Sequence, residues 1–276
     1  MIPAAFDYVR AESVDHALHL LAEHGDACKV LAGGHSLLPL MKLRLATPAL
    51  LVDVGRLGEL DYVHHVDGEL AIGALTRYRT LETSPVLASS VPIMSRAAHL
   101  VGDPQVRHRG TLGGALAHGD AAGDLPAVVL ALGGQLVARS LRGERRLAAT
   151  GFFTGFLETA LAPDELLVEV RVPEASGGWS FRKLSRRAQD WAIVGVALAR
   201  PASADTPGVA LVNAASTTVR AGAVEAALRA GASAAEAAEH AADGLDPPSD
   251  LHASSEYRAH LARVLVRRAL EEAGWS

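Results

Sequence analysis

The chain has 276 residues, 49% of them hydrophobic, so it can bury one large core or two to three smaller ones. Its net charge of -5 argues against a nucleic-acid-binding surface, which needs clustered Lys and Arg side chains to neutralise phosphates. Its longest apolar runs, such as residues 125–132, are much shorter than the ~20 residues of a membrane-spanning helix. We therefore expect a globular protein without a membrane span.

The N-terminal residues and the cysteine content bear on the compartment and on metal sites. Residues 1–10 lack the basic start and apolar core of a secretory signal, so we expect a cytoplasmic protein. Cys28 is the single cysteine, so it cannot form an internal disulfide or supply the three or four thiolates of an iron–sulfur cluster or structural zinc site. Among the twelve histidines, the neighbours His64 and His65 would point to opposite faces of a strand. We expect no metal site in this chain.

The first part of the chain predicts a small α+β unit that leads into a second one. Ser13 can cap a helix with apolar residues at helical spacing, and Gly25 is placed to end it. Short apolar or alternating runs, each closed by turn residues, then predict strands. These strands are residues 29–32, 50–54, 62–65 and 69–73.

The middle of the chain predicts helices, a glycine-rich turn and a sheet. Thr76 opens one helix, and a longer helix is predicted over residues 86–100, before Gly102 and Pro104 break the pattern. The glycine-rich turn follows at residues 110–114. The remaining predicted elements are a buried helix at 127–132, a hairpin of strands 135–139 and 144–147, and a strand at 166–172.

The last third predicts a sheet with helices on one face, after a boundary near residues 173–178. The predicted strands are residues 179–184, 193–200 and 209–214, and the predicted helices are residues 221–230, 234–242 and 254–272.

Two glycine pairs, each beside a hydroxyl residue, have the clearest chemical meaning. The first glycine turn is Gly-Gly-His-Ser at residues 33–36, and the second glycine turn is Gly-Thr-Leu-Gly-Gly at residues 110–114. Glycines let backbone N–H groups approach an anion closely, so the two turns could clamp a diphosphate with amides and hydroxyls. An ordinary tight turn is the alternative, because the spacing matches neither the dinucleotide-binding nor the P-loop pattern. Asp124 could accept hydrogen bonds from a ribose or adenine, or could simply be an early acidic residue of a helix.

With these motifs the sequence resembles the FAD-binding medium subunit of molybdenum hydroxylases, a family that includes aerobic carbon monoxide dehydrogenase, xanthine dehydrogenase and nicotine or quinoline dehydrogenases. The resemblance covers essentially the whole chain. It rests on residues 32–39 (Ala-Gly-Gly-His-Ser-Leu-Leu-Pro) with Lys42, Arg44 and Leu45, on residues 109–114 through Asp124-Leu125-Pro126, and on Lys183, Arg187, Asp190 and Ala192 within residues 181–196.

The resemblance implies non-covalent FAD, with its diphosphate on the two glycine turns. It implies that Asp124 lies at the adenosine end and that Leu167 and Lys183 lie near the isoalloxazine. Trp191 stands where some relatives place an aromatic against the flavin, or else it fills core between sheet and helices. No catalytic residue is expected. The full set of expected cofactor contacts is Ala32, Gly33, Gly34, His35, Ser36, Leu37, Val101, Thr111, Gly113, Gly114, Ala115, Asp124, Leu167, Lys183 and Trp191.

The implied fold is α+β. A PCMH-type FAD-binding domain would cover residues 1–173, with subdomains at about 1–57 and 58–173. An α+β domain, a sheet covered by helices, would cover residues 174–276. FAD would lie extended between the subdomains, its ring toward the C-terminal domain.

The implied function is electron transfer in an oxidoreductase complex. A large molybdopterin subunit and a small iron–sulfur subunit would carry the metal centres, in a dimer of heterotrimers, and the flavin would pass electrons to an external acceptor. This chain lacks the cysteine-bearing loop of benzoyl-CoA-reducing relatives. Eukaryotic relatives fuse all three modules, whereas we expect this flavin module to stand by itself. Two alternatives are a flavin-free scaffold and a stand-alone flavoprotein oxidase, although nothing marks a substrate-directed His, Tyr or acid for the latter.

Overall fold

The computed structural model describes residues 2–276 and has an α+β fold. The strands are β1 (Asp7–Arg10), β2 (Cys28–Leu31), β3 (Leu50–Asp53), β4 (Val63–Val66), β5 (Glu69–Gly73), β6 (Gln135–Ser140), β7 (Gly143–Ala148), β8 (Phe153–Gly155), β9 (Glu158–Thr159), β10 (Leu166–Pro173), β11 (Trp179–Ser185), β12 (Ala192–Ala199), β13 (Gly208–Val212) and β14 (Val219–Arg220). The α-helices are α1 (Val14–His24), α2 (Leu37–Lys42), α3 (Tyr78–Thr83), α4 (Pro85–Ser90), α5 (Pro92–His99), α6 (Pro104–Arg109), α7 (Leu112–His118), α8 (Asp124–Ala131), α9 (Gly222–Arg229), α10 (Ala234–Glu239) and α11 (Ser255–Glu272).

The N-terminal part of the chain forms a three-stranded parallel sheet in the order β1-β3-β2. Helix α1 packs on it and begins as predicted, because the Ser13 hydroxyl accepts from the N–H of His16 at 3.0 Å. Gly25, at φ 49°, follows the helix and ends it. The predicted strands β2 and β3 are confirmed. Strand β1 was not predicted, because most of its side chains are exposed and leave no apolar alternation.

A five-stranded antiparallel sheet, in the order β4-β5-β10-β6-β7, forms the middle of the molecule. A bulge at residues 167–169 shifts the side-chain alternation of its central strand β10. As a result, Leu166 and Val168 pack into the core beneath α1, whereas Val170 and Val172 pack into the core with α5 and α8. The sheet therefore separates two hydrophobic cores.

Two sequence predictions in the helical segment need correction. The single helix predicted over residues 86–100 is wrong, since the chain forms α4 and α5 with the non-helical Val91 between them. Pro92 has no N–H for an intrahelical bond, so it begins a new helix instead of continuing the old one. The second glycine turn is only partly a turn, because Thr111 caps α7 and both later glycines lie in its first turn.

The C-terminal part of the chain forms an antiparallel sheet in the order β11-β12-β13-β14. One face, including Val194 and Val196, packs against α9, α10 and α11, as the sequence predicted. The other face, including Ala197 and Ala210, packs against the apolar helix α8. Helix α8 thus joins the C-terminal sheet to the rest of the molecule. No helix within residues 2–276 combines the length and apolarity needed to cross a membrane.

Candidate cofactor site

A cleft of about 520 Å³ lies between the three-stranded sheet and the five-stranded sheet. The first glycine turn and α2 form one side, the second glycine turn and α7 form another, and residues 154–167 close the third. Its volume lies within the ~300–1,000 Å³ typical of small-molecule and cofactor sites. Leucine side chains supply much of the apolar lining: Leu37, Leu40, Leu75, Leu161, Leu166 and Leu167.

The first glycine turn lines this cleft, and its backbone amides have no hydrogen-bond partner among the described residues. Among residues 2–276, the N–H groups of Gly33, Gly34, His35 and Ser36 have no acceptor. Gly34 has φ 81°, a left-handed conformation that favours glycine. Successive free amides in such a turn form a concave site for an anion. This turn therefore has the donors that a phosphate group requires.

The second glycine turn offers a hydroxyl in place of free amides. The N–H of Gly113 donates to the carbonyl of Ala74 at 2.8 Å, and the N–H of Gly114 donates to Thr111 Oγ1 at 3.1 Å. These two amides are therefore occupied, whereas the N–H of Thr111 has no acceptor among residues 2–276. The Thr111 hydroxyl accepts from Gly114 and keeps its own proton free to donate.

Close packing explains two of the glycines. A Cβ atom at Gly33 would collide with the carbonyl group of Arg109, and a Cβ atom at Gly113 would collide with Ala74. The obstacle at Gly33 is backbone, which cannot move aside as a flexible side chain can. Gly33 thus lets the first glycine turn pack directly against the residue that precedes the second. Close packing alone accounts for glycine at positions 33 and 113. The feature that indicates an anion site is therefore the free amides of residues 33–36.

Asp124 and Lys183 form a buried ion pair outside the cleft lining. Lys183 Nζ lies 2.7 Å from Asp124 Oδ2, and the side chains are 8% and 4% exposed. Asp124 Oδ1 has no hydrogen-bond partner among the described residues. Burial raises the pKa of the Asp124 carboxyl, because desolvation outweighs the opposing effect of the Lys183 ammonium. The same carboxylate, together with burial, raises the pKa of Tyr78, which does line the cleft.

This contact brings together two residues for which the resemblance implied different neighbours. It implied Asp124 at the adenosine end of FAD and Lys183 near the isoalloxazine, and the two side chains touch. Both assignments stay predictions.

The structure brings most, but not all, of the expected contacts together. Val101 and Trp191 lie outside the cleft lining; the carbonyl of Val101 accepts from Arg107 Nη1 at 3.2 Å. Trp191 is 65% exposed, so the alternative in which it fills the core is wrong. The expected residues that line the cleft are Ala32, Gly33, Gly34, His35, Ser36, Leu37, Thr111, Gly113, Gly114, Ala115 and Leu167.

Apart from Leu167, the sequence did not reveal the third side of the cleft, at residues 154–167. The hairpin of β8 and β9 is too short to show any periodicity. Glu165 anchors this side, because it accepts from Arg145 Nε at 2.6 Å, from Arg145 Nη2 at 2.8 Å and from the N–H of Ala162 at 2.7 Å. Arg145 lowers the pKa of the Glu165 carboxyl, partly opposed by burial. Within residues 2–276, no group of three or more His, Cys, Asp or Glu side chains is placed to hold a metal ion.

Two family models match nearly the entire chain. Residues 4–175 match the FAD binding domain in molybdopterin dehydrogenase, and residues 179–273 match the CO dehydrogenase flavoprotein C-terminal domain. The chain belongs to this family of molybdopterin dehydrogenase flavoproteins.

Individual members of the family are similar along almost their whole length. Subunit alpha of the 6-hydroxypseudooxynicotine dehydrogenase complex of Paenarthrobacter nicotinovorans is 41% identical, over 99% of this chain and 96% of that subunit. The carbon monoxide dehydrogenase medium chain of Hydrogenophaga pseudoflava is 40% identical, over 100% of this chain and 99% of that one. A solved structure of carbon monoxide dehydrogenase from Hydrogenophaga pseudoflava superposes with a TM-score of 0.93 and covers 99% of this chain and 98% of the matched chain. For quinoline 2-oxidoreductase from Pseudomonas putida 86 the TM-score is 0.90, at 34% identity, covering 99% of this chain and 98% of that one.

Proposed function

We propose that this chain is the FAD-binding electron-transfer subunit of a multi-subunit molybdenum hydroxylase, and hence part of an oxidoreductase. The observation that carries the proposal is the row of free amides at residues 33–36, which faces the cleft. Those amides fit a diphosphate, and the leucine-lined walls beside them fit aromatic rings. Membership of the molybdopterin dehydrogenase flavoprotein family supports the same cofactor.

The residues that line the cleft would hold FAD non-covalently. The amides of the first glycine turn would bind diphosphate oxygens, and the Thr111 hydroxyl would donate to the same group from the opposite side. Leu167 would pack against the cofactor from β10. FAD, when bound, supplies the redox chemistry, and the chain supplies binding, orientation and a site partly closed to water. No side chain of this chain is assigned a proton-transfer step.

The other expected contacts enter the proposal differently. Val101 and Trp191 lie outside the cleft lining and have no role in holding the diphosphate. Asp124, at the adenosine end, and Lys183, near the isoalloxazine, stay proposed cofactor contacts, and their ion pair lies outside the cleft lining. The chain would divide into residues 1–57, 58–173 and 174–276, and this is supported by the three larger sheets, each of which uses strands from one continuous stretch.

The partners in this proposal are a large molybdopterin subunit and a small iron–sulfur subunit. The names of the relatives, a subunit of a dehydrogenase complex and a medium chain, support such an assembly. The single cysteine supports it too, because the iron–sulfur clusters must then be bound by another chain. A dimer of heterotrimers, an external electron acceptor and a cytoplasmic location complete the proposal.

The proposal is tested on the complex purified through a tag on this chain. We expect near-equal amounts of FAD and chain, together with iron and molybdenum. Ser36→Asp, which puts a carboxylate among the free amides, should yield the same metals without FAD, while the neutral Ser36→Asn should keep FAD. A wild-type complex with metals and no FAD would overturn the proposal in favour of a flavin-free scaffold. A flavoprotein without molybdenum or iron partners would favour a stand-alone oxidase.

A further inference from the structure

The Arg77 side chain contacts backbone that lies next to both glycine turns. It lies in the loop between β5 and α3, and its backbone forms a bridge with Thr111 of the second glycine turn. Its side chain is partly buried and is not part of the cleft lining. Arg77 was not among the residues expected from the sequence to affect cofactor binding.

The guanidinium of Arg77 joins two backbone carbonyls from separate parts of the chain. One nitrogen, Nη2, donates to the carbonyl of Gly55 at 3.3 Å, just after β3. The other, Nη1, donates to the carbonyl of Arg109, just before the second glycine turn. Loss of hydration lowers the pKa of the Arg77 guanidinium, with a further contribution from Arg109, as expected for a cation held against backbone.

Both carbonyls belong to residues that pack against the first glycine turn or the residue before it, and Arg109 also precedes the second turn. The carbonyl of Arg109 is the group that packs against Gly33. A Cβ atom at Gly55 would lie 3.3 Å from the carbonyl oxygen of Ala32, the residue that precedes the first glycine turn. The guanidinium therefore connects Gly55, which packs against the residue before the first turn, with Arg109, which precedes the second turn.

We propose that Arg77 is a positioning residue that sets the spacing between the two glycine turns, and thereby their fit to the cofactor diphosphate. This inference rests on the proposed function. Arginine suits the role because its planar fork can donate to two acceptors in fixed directions. A lysine ammonium is a single point of charge and cannot hold both carbonyls in the same geometry.

The test compares two Arg77 variants with a matched control. Arg77→Met keeps the aliphatic stem and removes both hydrogen bonds, and Arg77→Lys keeps the charge but not the bridge. The control is Arg79→Met, since Arg79 pairs with Glu82, is 50% exposed and does not line the cleft. The dissociation constants of FAD and of ADP are measured for the full-length chain. ADP carries the diphosphate without the flavin ring.

We expect Arg77→Met to weaken both FAD and ADP about tenfold, Arg77→Lys to recover only part of the loss, and Arg79→Met to change neither. The ³¹P resonances of the bound FAD diphosphate should shift in Arg77→Met and stay in place in Arg79→Met. Full rescue by Arg77→Lys would overturn the bridging role, because it would show that the positive charge alone is sufficient. Unchanged FAD and ADP affinity in Arg77→Met, with wild type binding FAD, would overturn this inference and leave the proposed function standing. Failure of wild type to bind FAD would overturn both. Should Arg77→Met not fold, the partial loss in Arg77→Lys is decisive.

Discussion

Lys183 and Asp124 form an ion pair almost closed to solvent, with 2.7 Å between Nζ and Oδ2. The pair joins β11 of the C-terminal sheet to the first turn of α8. Helix α8 packs on the face of that sheet opposite α9, α10 and α11. Two charges removed from water are tolerated only when each has the other as partner. The pair therefore stabilises the contact between α8 and the C-terminal sheet.

Removal of one partner should destabilise the protein strongly. Lys183→Met would leave the Asp124 carboxylate buried without a counter-charge, and we expect a loss of about 3 kcal/mol in the free energy of unfolding at pH 7. The loss should be smaller at pH 5, because burial raises the pKa of Asp124 and the unpaired carboxyl can then take up a proton. The double variant Asp124→Asn/Lys183→Met should recover most of the stability. Urea unfolding measures all three, and a loss below about 1 kcal/mol would contradict a structural role for the pair.

Gly33→Ala tests the packing between the two glycine turns. The new Cβ atom would collide with the backbone of Arg109, so the first turn must shift away from the second. We expect FAD affinity to fall at least about tenfold, with a stability loss of about 1–3 kcal/mol. Gly151→Ala is the control, because a Cβ atom there meets nothing within 4 Å. Equal FAD affinity in the two variants would show that the close approach at Gly33 is unimportant.

Thr111→Val separates cofactor binding from helix capping. Loss of the hydroxyl removes the hydrogen bond from Gly114 and should reduce stability by about 1 kcal/mol. It should also weaken FAD about tenfold, because the Thr111 hydroxyl is a proposed diphosphate donor. Ser84→Ala removes an equivalent cap, the bond from Leu87 at 3.3 Å, and should reduce stability similarly without changing FAD affinity. Equal effects on FAD in both variants would mean that only capping matters at Thr111.

The pair of Glu165 and Arg145 predicts a dependence of stability on pH. Arg145 lowers the pKa of Glu165 below its ordinary value of 4.5, so the ionised carboxylate stabilises the fold above that pH. This contribution is lost as the pH falls through the lowered pKa. We expect Glu165→Gln to reduce stability by about 1 kcal/mol at pH 7, since Arg145 is partly exposed, and by almost nothing near pH ~2.

The control for this pair is Glu271→Gln. Glu271 forms an exposed helical pair with Arg267, and its replacement should change stability by less than about 0.5 kcal/mol at any pH. Thermal unfolding of both variants between pH 2 and pH 7 makes the comparison. A Glu165→Gln effect that persists undiminished at the lowest pH would contradict the role of the ionised carboxylate.

The sequence predicted the elements whose signals are local. The Ser13 cap and the Gly25 end of α1, and the paired glycines, depend on near neighbours in the chain. The glycines indicated a close backbone approach, but only the structure identifies Arg109 as the group that approaches Gly33. Pro92 is a local helix-breaking signal, and the prediction of one helix over residues 86–100 did not allow for it.

The sequence could not reveal long-range pairs. Lys183 and Asp124 lie 59 residues apart, and nothing in either segment indicates that they touch. Arg77 and Gly55 are joined across 22 residues by a side chain in a loop without periodicity. Residues 154–167 reach the cleft through the anchor between Glu165 and Arg145, which is equally non-local. Tertiary packing decides such contacts, so the third side of the cleft, apart from Leu167, appeared only in the structure.

The central claim is that this chain binds FAD non-covalently for electron transfer. The most direct measurement is the visible absorption spectrum of the purified chain, alone and in its complex, followed by chromatography of the compound that acid releases. We expect flavin absorption bands and release of FAD in near-equal amount to the chain. A colourless chain that takes up no added FAD, alone or in its complex, would contradict the claim.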